Sequence, residues 1–224
     1  MYIILILTQC QNNPGGAFMP RLSKELTESR RDEIMDVCVN LYKKKIFKDI
    51  TIKDIGEVTS FTRTSIYNYF ETKEEIFLAI FKREYDFLTD DLLKIIKNND
   101  SLSREQLAGK IADVFKKREL LLKLLSVNLY DMEENSRIER LVDFKQSYGA
   151  SKDALEKVIK KFNPSCKGKE LNDFIYAFLP YLNGVYPYAH PTDKQVAAMA
   201  AAGVKYKEVS IRNMIYKVLI KILP

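Results

Sequence analysis

Apolar side chains recur at helical spacing along almost the whole chain, and that pattern confines it to an all-α fold. Ile34, Cys38, Leu41 and Tyr42 stand at i, i+4, i+7 and i+8, the stripe of an amphipathic helix. Ile76, Phe77, Ile80, Phe81, Leu88, Leu92 and Ile95 carry the same period through a longer helix, and Ile211, Ile215, Val218 and Ile222 repeat it near the end. Further helices are expected at about 103–117, 119–129, 136–162, 168–187, 191–202 and 207–222. Pro164, Pro187 and Pro191 fall between helices, while Pro180 falls inside one and is expected to kink it. No period-two stretch or internal repeat competes, and eight Gly and seven Pro in 224 residues are too few for a turn-rich sheet protein.

Capping signals divide the first part of the chain. Thr51 with Asp54 three residues on opens a short helix carrying Ile52, Ile55 and Val58. Thr59-Ser60-Phe61 breaks the period, and Thr62 can cap a third helix running to Phe70. Thr72 with Glu75 forms a second expected capping box and launches a helix to about residue 97. Two short helices joined by a three-residue turn have the layout of a helix-turn-helix, whose second helix enters the major groove of DNA. With Arg63 as origin, Tyr67, Thr64 and Asn68 fall within an arc of about 140°, while Ser65, Ile66, Tyr69 and Phe70 take the other side. Such a polar arc can hydrogen-bond bases or phosphates, and a solvated surface helix carries the same arc.

The stretch RDEIMDVCVNLYKKKIFKDITIKDIGEVTSFTRTSIYNYFETKEEIFLAIF resembles the DNA-binding domain of TetR-type transcriptional regulators. The likeness runs over about residues 30–81 through Leu41, Phe47, Thr51, Ile55, Val58, the Ser65–Phe70 block and Lys73-Glu74-Glu75. The resemblance implies a three-helix reading head at 20–75 and a helical ligand-binding and dimerisation domain at 76–224, the long helix joining the two. It further implies that Arg63, Thr64 and Asn68 face bases while Thr51, Tyr67 and Lys73 hold phosphates. Thr51 and Lys73 open helices, where free N–H groups and the helix dipole attract phosphate. Ser60 stands where the family usually has Gly, and Gly56 where it usually has Ala. A left-handed Ser60 carries a cost on the order of 1 kcal/mol.

Bulk charge adds little. The net charge is +6, yet residues 21–75 hold equal numbers of acidic and basic side chains. Lys43, Lys44, Lys45 and Lys48 therefore read as a solvated run, and Lys53 can serve either role. A single His argues against a multi-His metal site, and three scattered Cys form neither a disulfide framework nor a zinc knuckle. No metal and no cofactor is expected, and a reducing cytoplasm is the expected setting. The apolar run of seven residues before Thr8 is far shorter than the roughly 20 needed to span a membrane. Residues 1–19 are expected to be a disordered or non-native extension, with Met19 as the physiological start.

The resemblance implies an operator-binding homodimer, built on the 168–187 and last helices, and a small-molecule effector. Both apolar stripes are also compatible with an intramolecular core. Repression is the usual output in the family. Tyr176 and Tyr181, with Tyr186, Tyr188 and His190, form an aromatic, hydroxyl-bearing group near Pro180 and Pro187 that suits a ligand pocket. No concentrated charged set in these helices announces a charged effector. An enzyme is not expected: His190 has no obvious acidic partner, the Cys residues lack a nearby His, and Glu133-Glu134 reads as a solvated pair. The rival is a helical small-molecule-binding or adaptor protein with a vestigial reading head.

Overall fold

The computed structural model describes residues 19–127 and 129–224, with side chains from Glu25 onward. The expected extension and start site concern residues 1–18, which lie outside the described residues. The chain begins with α1 (Met19–Tyr42), a 3-10 turn (Phe47–Asp49), α2 (Ile52–Val58) and α3 (Arg63–Tyr67). There follow α4 (Lys73–Asn98), α5 (Arg104–Lys117), α6 (Glu119–Leu125), α7 (Leu129–Glu134) and α8 (Ile138–Phe162). The last three are α9 (Lys169–Ala189), α10 (Asp193–Ala201) and α11 (Ile211–Ile222). No strand occurs among the described residues, so the fold is all-α.

The 26-residue helix α4 is the axis. α8 lies along it most extensively, α1, α5, α6 and α7 also pack on it, and α11 closes over α5 and α9. Ile34, Cys38, Ile55, Ile66, Phe70 and Phe77 are all fully buried, which knits α1–α3 to the start of α4. Phe77 meets Tyr42 edge-on at 5.2 Å and Phe47 at 4.7 Å between ring centroids. Ile211, Ile215 and Leu219 are buried inside this chain, whereas Val218 and Ile222 keep partial exposure. α10 buries none of its residues.

Several helix ends and one cap differ from the expected ones, and the last helix, expected from residue 207, begins only at Ile211. α3 stops at Tyr67, because the Asn68, Tyr69 and Phe70 N–H groups fold back onto Ser65 and Ile66, dropping Phe70 into the core under Arg31. The expected 119–129 helix ends at Leu125 as α6, where the Ser126 hydroxyl donates to the Lys123 carbonyl at 2.7 Å, and α7, Leu129–Glu134, is a further short helix beyond the expected ones. α9 continues through Pro180 and also through Pro187, ending at Ala189 just ahead of Pro191. Thr72 and Glu75 form half a capping box: Thr72 accepts from the Glu75 N–H at 3.2 Å, but the Glu75 carboxylate goes elsewhere.

That carboxylate is only 1 % exposed. Arg137, at the α7–α8 junction, donates to it from Nε at 2.6 Å and Nη2 at 2.7 Å, and the Glu71 N–H donates at 2.9 Å. Arg137 also pairs with Glu71 at 2.9 Å, and Thr72 donates to the Asn135 carbonyl at 2.9 Å. Burial opposes ionisation of Glu75, but these donors outweigh it and hold its carboxyl below the ordinary 4.5. A depressed carboxylate contributes stability above its unfolded value and loses it as the pH falls through the folded one.

Two predictions follow from these contacts. Arg137→Ala strands a buried carboxylate and is expected to lower stability clearly at pH 7, although Arg137 itself is partly exposed. Denaturant melts across pH should find this penalty shrinking as the pH falls, and gone below the depressed folded value of Glu75, where the carboxyl is neutral with or without Arg137. At Gly56 an added Cβ would meet the Arg63 backbone at 3.5 Å, an ordinary contact. Gly56→Ala should therefore stabilise α2 by about 0.5–1 kcal/mol, read as a rise of about 1–4 °C in Tm.

Candidate functional site

The presented surface is built by the two short helices and the start of α4. Thr51 opens α2: its Oγ1 accepts from the Asp54 N–H at 3.1 Å and donates to Asp54 Oδ2 at 2.6 Å. Lys45 pairs with Asp54 Oδ1 at 2.8 Å. The Lys45 bond and then the Thr51 bonds hold Asp54 well below the ordinary carboxylate range. Thr51 is thus the helix cap, with its hydroxyl hydrogen committed to Asp54.

Thr62 caps α3 by accepting from the Ser65 N–H at 3.2 Å. Ile66 and Phe70 are buried, so Arg63, Thr64, Tyr67 and Asn68 remain exposed together. Arg63 and Tyr67, one turn apart, are coupled: Nη2 donates to the phenol oxygen at 3.2 Å and the guanidinium lies 5.8 Å from the ring centroid. The Tyr67 O–H is left to donate outward. Asn68 forms the C-cap of α3 in a right-handed conformation, so it stays beside the polar face although the helix has ended.

The turn between α2 and α3 is held from α1. Ser60 donates to Glu33 Oε1 from its N–H at 3.0 Å and from Oγ at 2.8 Å. These two bonds hold the Glu33 carboxyl below its ordinary value. A serine does work here that glycine could not, because its hydroxyl adds the second tie. The short step across Gly56 brings α2 close to the Arg63 backbone.

Lys73 opens α4 with its ammonium turned inward. Nζ donates to the carbonyls of Phe47 at 3.2 Å and Lys48 at 3.4 Å and sits 4.6 Å from the Phe47 ring centroid. An ammonium carries three donors, so one remains for an outside acceptor. Lys43 bonds to Asn40 at 3.1 Å and Lys53 approaches Glu57 at 3.8 Å, while Lys44 and Lys48 are exposed. Glu33 and Lys45 had no signal in the local period, since each acts across a turn.

A second feature lies in the helical body. A cavity of about 500 Å³ opens between α4, the α5–α7 segment, α8 and α9. Leu88, Leu92, Phe115, Leu121, Phe144 and Ile175 form much of its wall, and Lys145, Tyr148, Ser151 and Lys152 supply polar groups from α8. Tyr85 and Tyr148 cross edge-on at 5.5 Å, and neither phenol has a hydrogen-bond partner among the described residues. Tyr176 lies at the exposed rim with Pro180, which has no N–H to offer the Tyr176 carbonyl. Tyr181 stacks on Phe178 at 6.4 Å and is not part of this wall.

The aromatic group expected around α9 is therefore dispersed: Tyr176 and Tyr188 are exposed, and Tyr186 pairs with His190 at 4.8 Å between ring centroids. His190 does have an acidic partner, Glu119 Oε1 at 3.2 Å, brought from α6 by the fold. Glu133, expected to be solvated, pairs with Lys145 at 2.9 Å. No helix among the described residues is long and apolar enough to cross a membrane.

The chain's likenesses agree with this geometry. Residues 82–223 match the family model described as "Tetracyclin repressor-like, C-terminal domain". The uncharacterized HTH-type transcriptional regulator YfiR of Bacillus subtilis (strain 168) is 34% identical over 67 residues, which span 30% of this chain and 33% of that protein. Two solved structures share the fold. The fatty acid degradation regulator FadR from Bacillus halodurans superposes with a TM-score of 0.54 at 13% identity, over 85% of this chain and 94% of that one. The superantigen pfit superposes with 0.55 at 12% identity, over 92% and 97%. A match over most of the helical body, joined to a capped helix-turn-helix, places the chain in the tetracyclin repressor-like (TetR) family of DNA-binding transcriptional regulators.

Proposed function

We propose that this chain is a ligand-responsive repressor that binds a palindromic operator as a homodimer in the cytoplasm. Residues 20–75 serve as the reading head and 76–224 as the effector and dimerisation domain. The observation that carries the reading is the joint exposure of Arg63, Thr64, Tyr67 and the C-cap Asn68 opposite the fully buried Ile66 and Phe70. In this reading Arg63, Thr64 and Asn68 face bases, and Thr51, Tyr67 and Lys73 neighbour phosphates. The exposed Tyr67 hydroxyl and the spare Lys73 donor suit that role. Thr51 contributes through the N-terminus it caps, where free backbone N–H groups favour an anion.

The cavity is the effector site in this proposal, with Tyr176 at its rim and Tyr181 on the neighbouring face of the same helix. Dimerisation engages α9 and α11, whose Tyr176, Val218 and Ile222 retain exposure after the chain's own core is complete. The effector then selects between two dimer states that differ in head spacing, and a differential affinity of roughly 1–3 kcal/mol suffices for a useful switch.

Selection of bound duplexes from a random pool tests the reading. A two-fold symmetric site with half-sites about one helical turn or a multiple apart is expected; failure to enrich any palindrome favours an adaptor protein with a vestigial head. On the selected duplex, Arg63→Ala should relax sequence preference at one position per half-site, costing about 1–3 kcal/mol. Lys73→Ala should weaken all sequences alike and lower the salt slope by about one. Wild-type behaviour of both variants would refute the assignment.

A further inference from the structure

We infer that the cavity takes an elongated amphipathic anion, with its apolar body among the leucines of α4, α6 and α9 and its charged head at Lys152. The inference rests on reading this cavity as the effector site. Two lysines and no acidic residue stand in its wall, so the only charged groups the wall itself presents are cationic, each paired with a glutamate just outside it. Leu88, Leu92, Leu121, Leu125, Ile175 and Leu179 offer only hydrocarbon to a ligand, and a volume of about 500 Å³ suits a molecule of effector size.

Both cationic groups of the wall stand on α8, while Tyr85 of α4 and Tyr176 and Asn183 of α9 add neutral polar groups. Tyr148 and Lys152 stand one turn apart on α8, so both can donate to the same anionic group. Lys152 now pairs with Glu156 Oε1 at 2.6 Å, and Lys160 holds the other oxygen, Oε2, at 3.3 Å. Because Glu156 keeps Lys160, Lys152 can turn to a ligand without stranding a carboxylate. Lys145 is more exposed and is held by Glu133 at 2.9 Å, so it flanks the head and does not bind it. The same arrangement disfavours a cation and gives a neutral head no charge partner.

Calorimetric titration of the full chain, without DNA and below micelle-forming concentrations, tests this with decanoate, decan-1-ol and decyltrimethylammonium. Decanoate is expected to bind at least tenfold more tightly than decan-1-ol, with decyltrimethylammonium weakest. Lys152→Gln should reduce the acid-to-alcohol preference to less than twofold while decan-1-ol binds as before. Equal binding of acid and alcohol, preference for the cation, absence of binding by all three, or an unchanged preference in Lys152→Gln each overturns the inference. The three-ligand comparison on the unsubstituted chain stands even where the variant fails to fold. Operator selection is a separate experiment, so failure here leaves the regulator reading intact, and failure there leaves the cavity's preference measurable.

Discussion

The Glu75–Arg137 interaction joins the two ends of the molecule's organisation. A carboxylate 1 % exposed to solvent is held by a guanidinium that arrives 62 residues later in the chain. Removing water from a carboxylate is tolerable only where donors replace it, and here Arg137 and two backbone N–H groups do so. The consequence is geometric: the start of α4, beside α3, cannot move independently of the α7–α8 junction. A second tie stands at α6, where Lys123 donates to the last carbonyl of α1, Tyr42, at 2.6 Å, and the Tyr42 hydroxyl returns to the Lys123 carbonyl at 3.2 Å.

Charge is also built into the middle of the axis. Asp91 on α4 is 7 % exposed and is met by Lys94 at 3.0 Å, Lys117 at 3.0 Å and Arg118 at 3.3 Å. Burial opposes its ionisation, but these cations outweigh that and hold its carboxyl low. Glu84 lies in the same region with Arg118 at 3.8 Å, and there burial prevails and pushes the carboxyl up. Two carboxylates seven residues apart on one helix face thus part in their protonation behaviour, according to how many donors reach each one.

Local chemistry was legible in the sequence, and distant pairing was not. The Thr51–Asp54 box, the Thr62 cap and the burial of Ile55, Ile66 and Phe70 follow from spacing alone, since each depends on neighbours within one or two turns. The polar face of α3 was readable for the same reason, although its helix ends three residues early. Thr72–Glu75 matched the capping pattern, but a distant arginine took the carboxylate that a complete box requires. His190 and Glu119 lie 71 positions apart, so no period links them. The cavity wall draws residues from several helices; Lys152 of α8 and Leu179 of α9 share no local period, and only the fold brings them to one wall.

The two ties gain a further meaning from where their far ends lie. α6 carries Lys123 together with the wall residues Leu121 and Leu125, and α8, which follows directly on Arg137, carries Phe144 and Tyr148. Each tie thus leads from the α1–α4 corner to a helix that shapes the cavity. In the proposed regulator, occupancy and grip on DNA then form one thermodynamic cycle, and reciprocity applies to it. Whatever factor the effector takes from operator affinity, the operator takes from effector affinity, so a promoter-bound dimer would respond at a higher effector concentration than a free one.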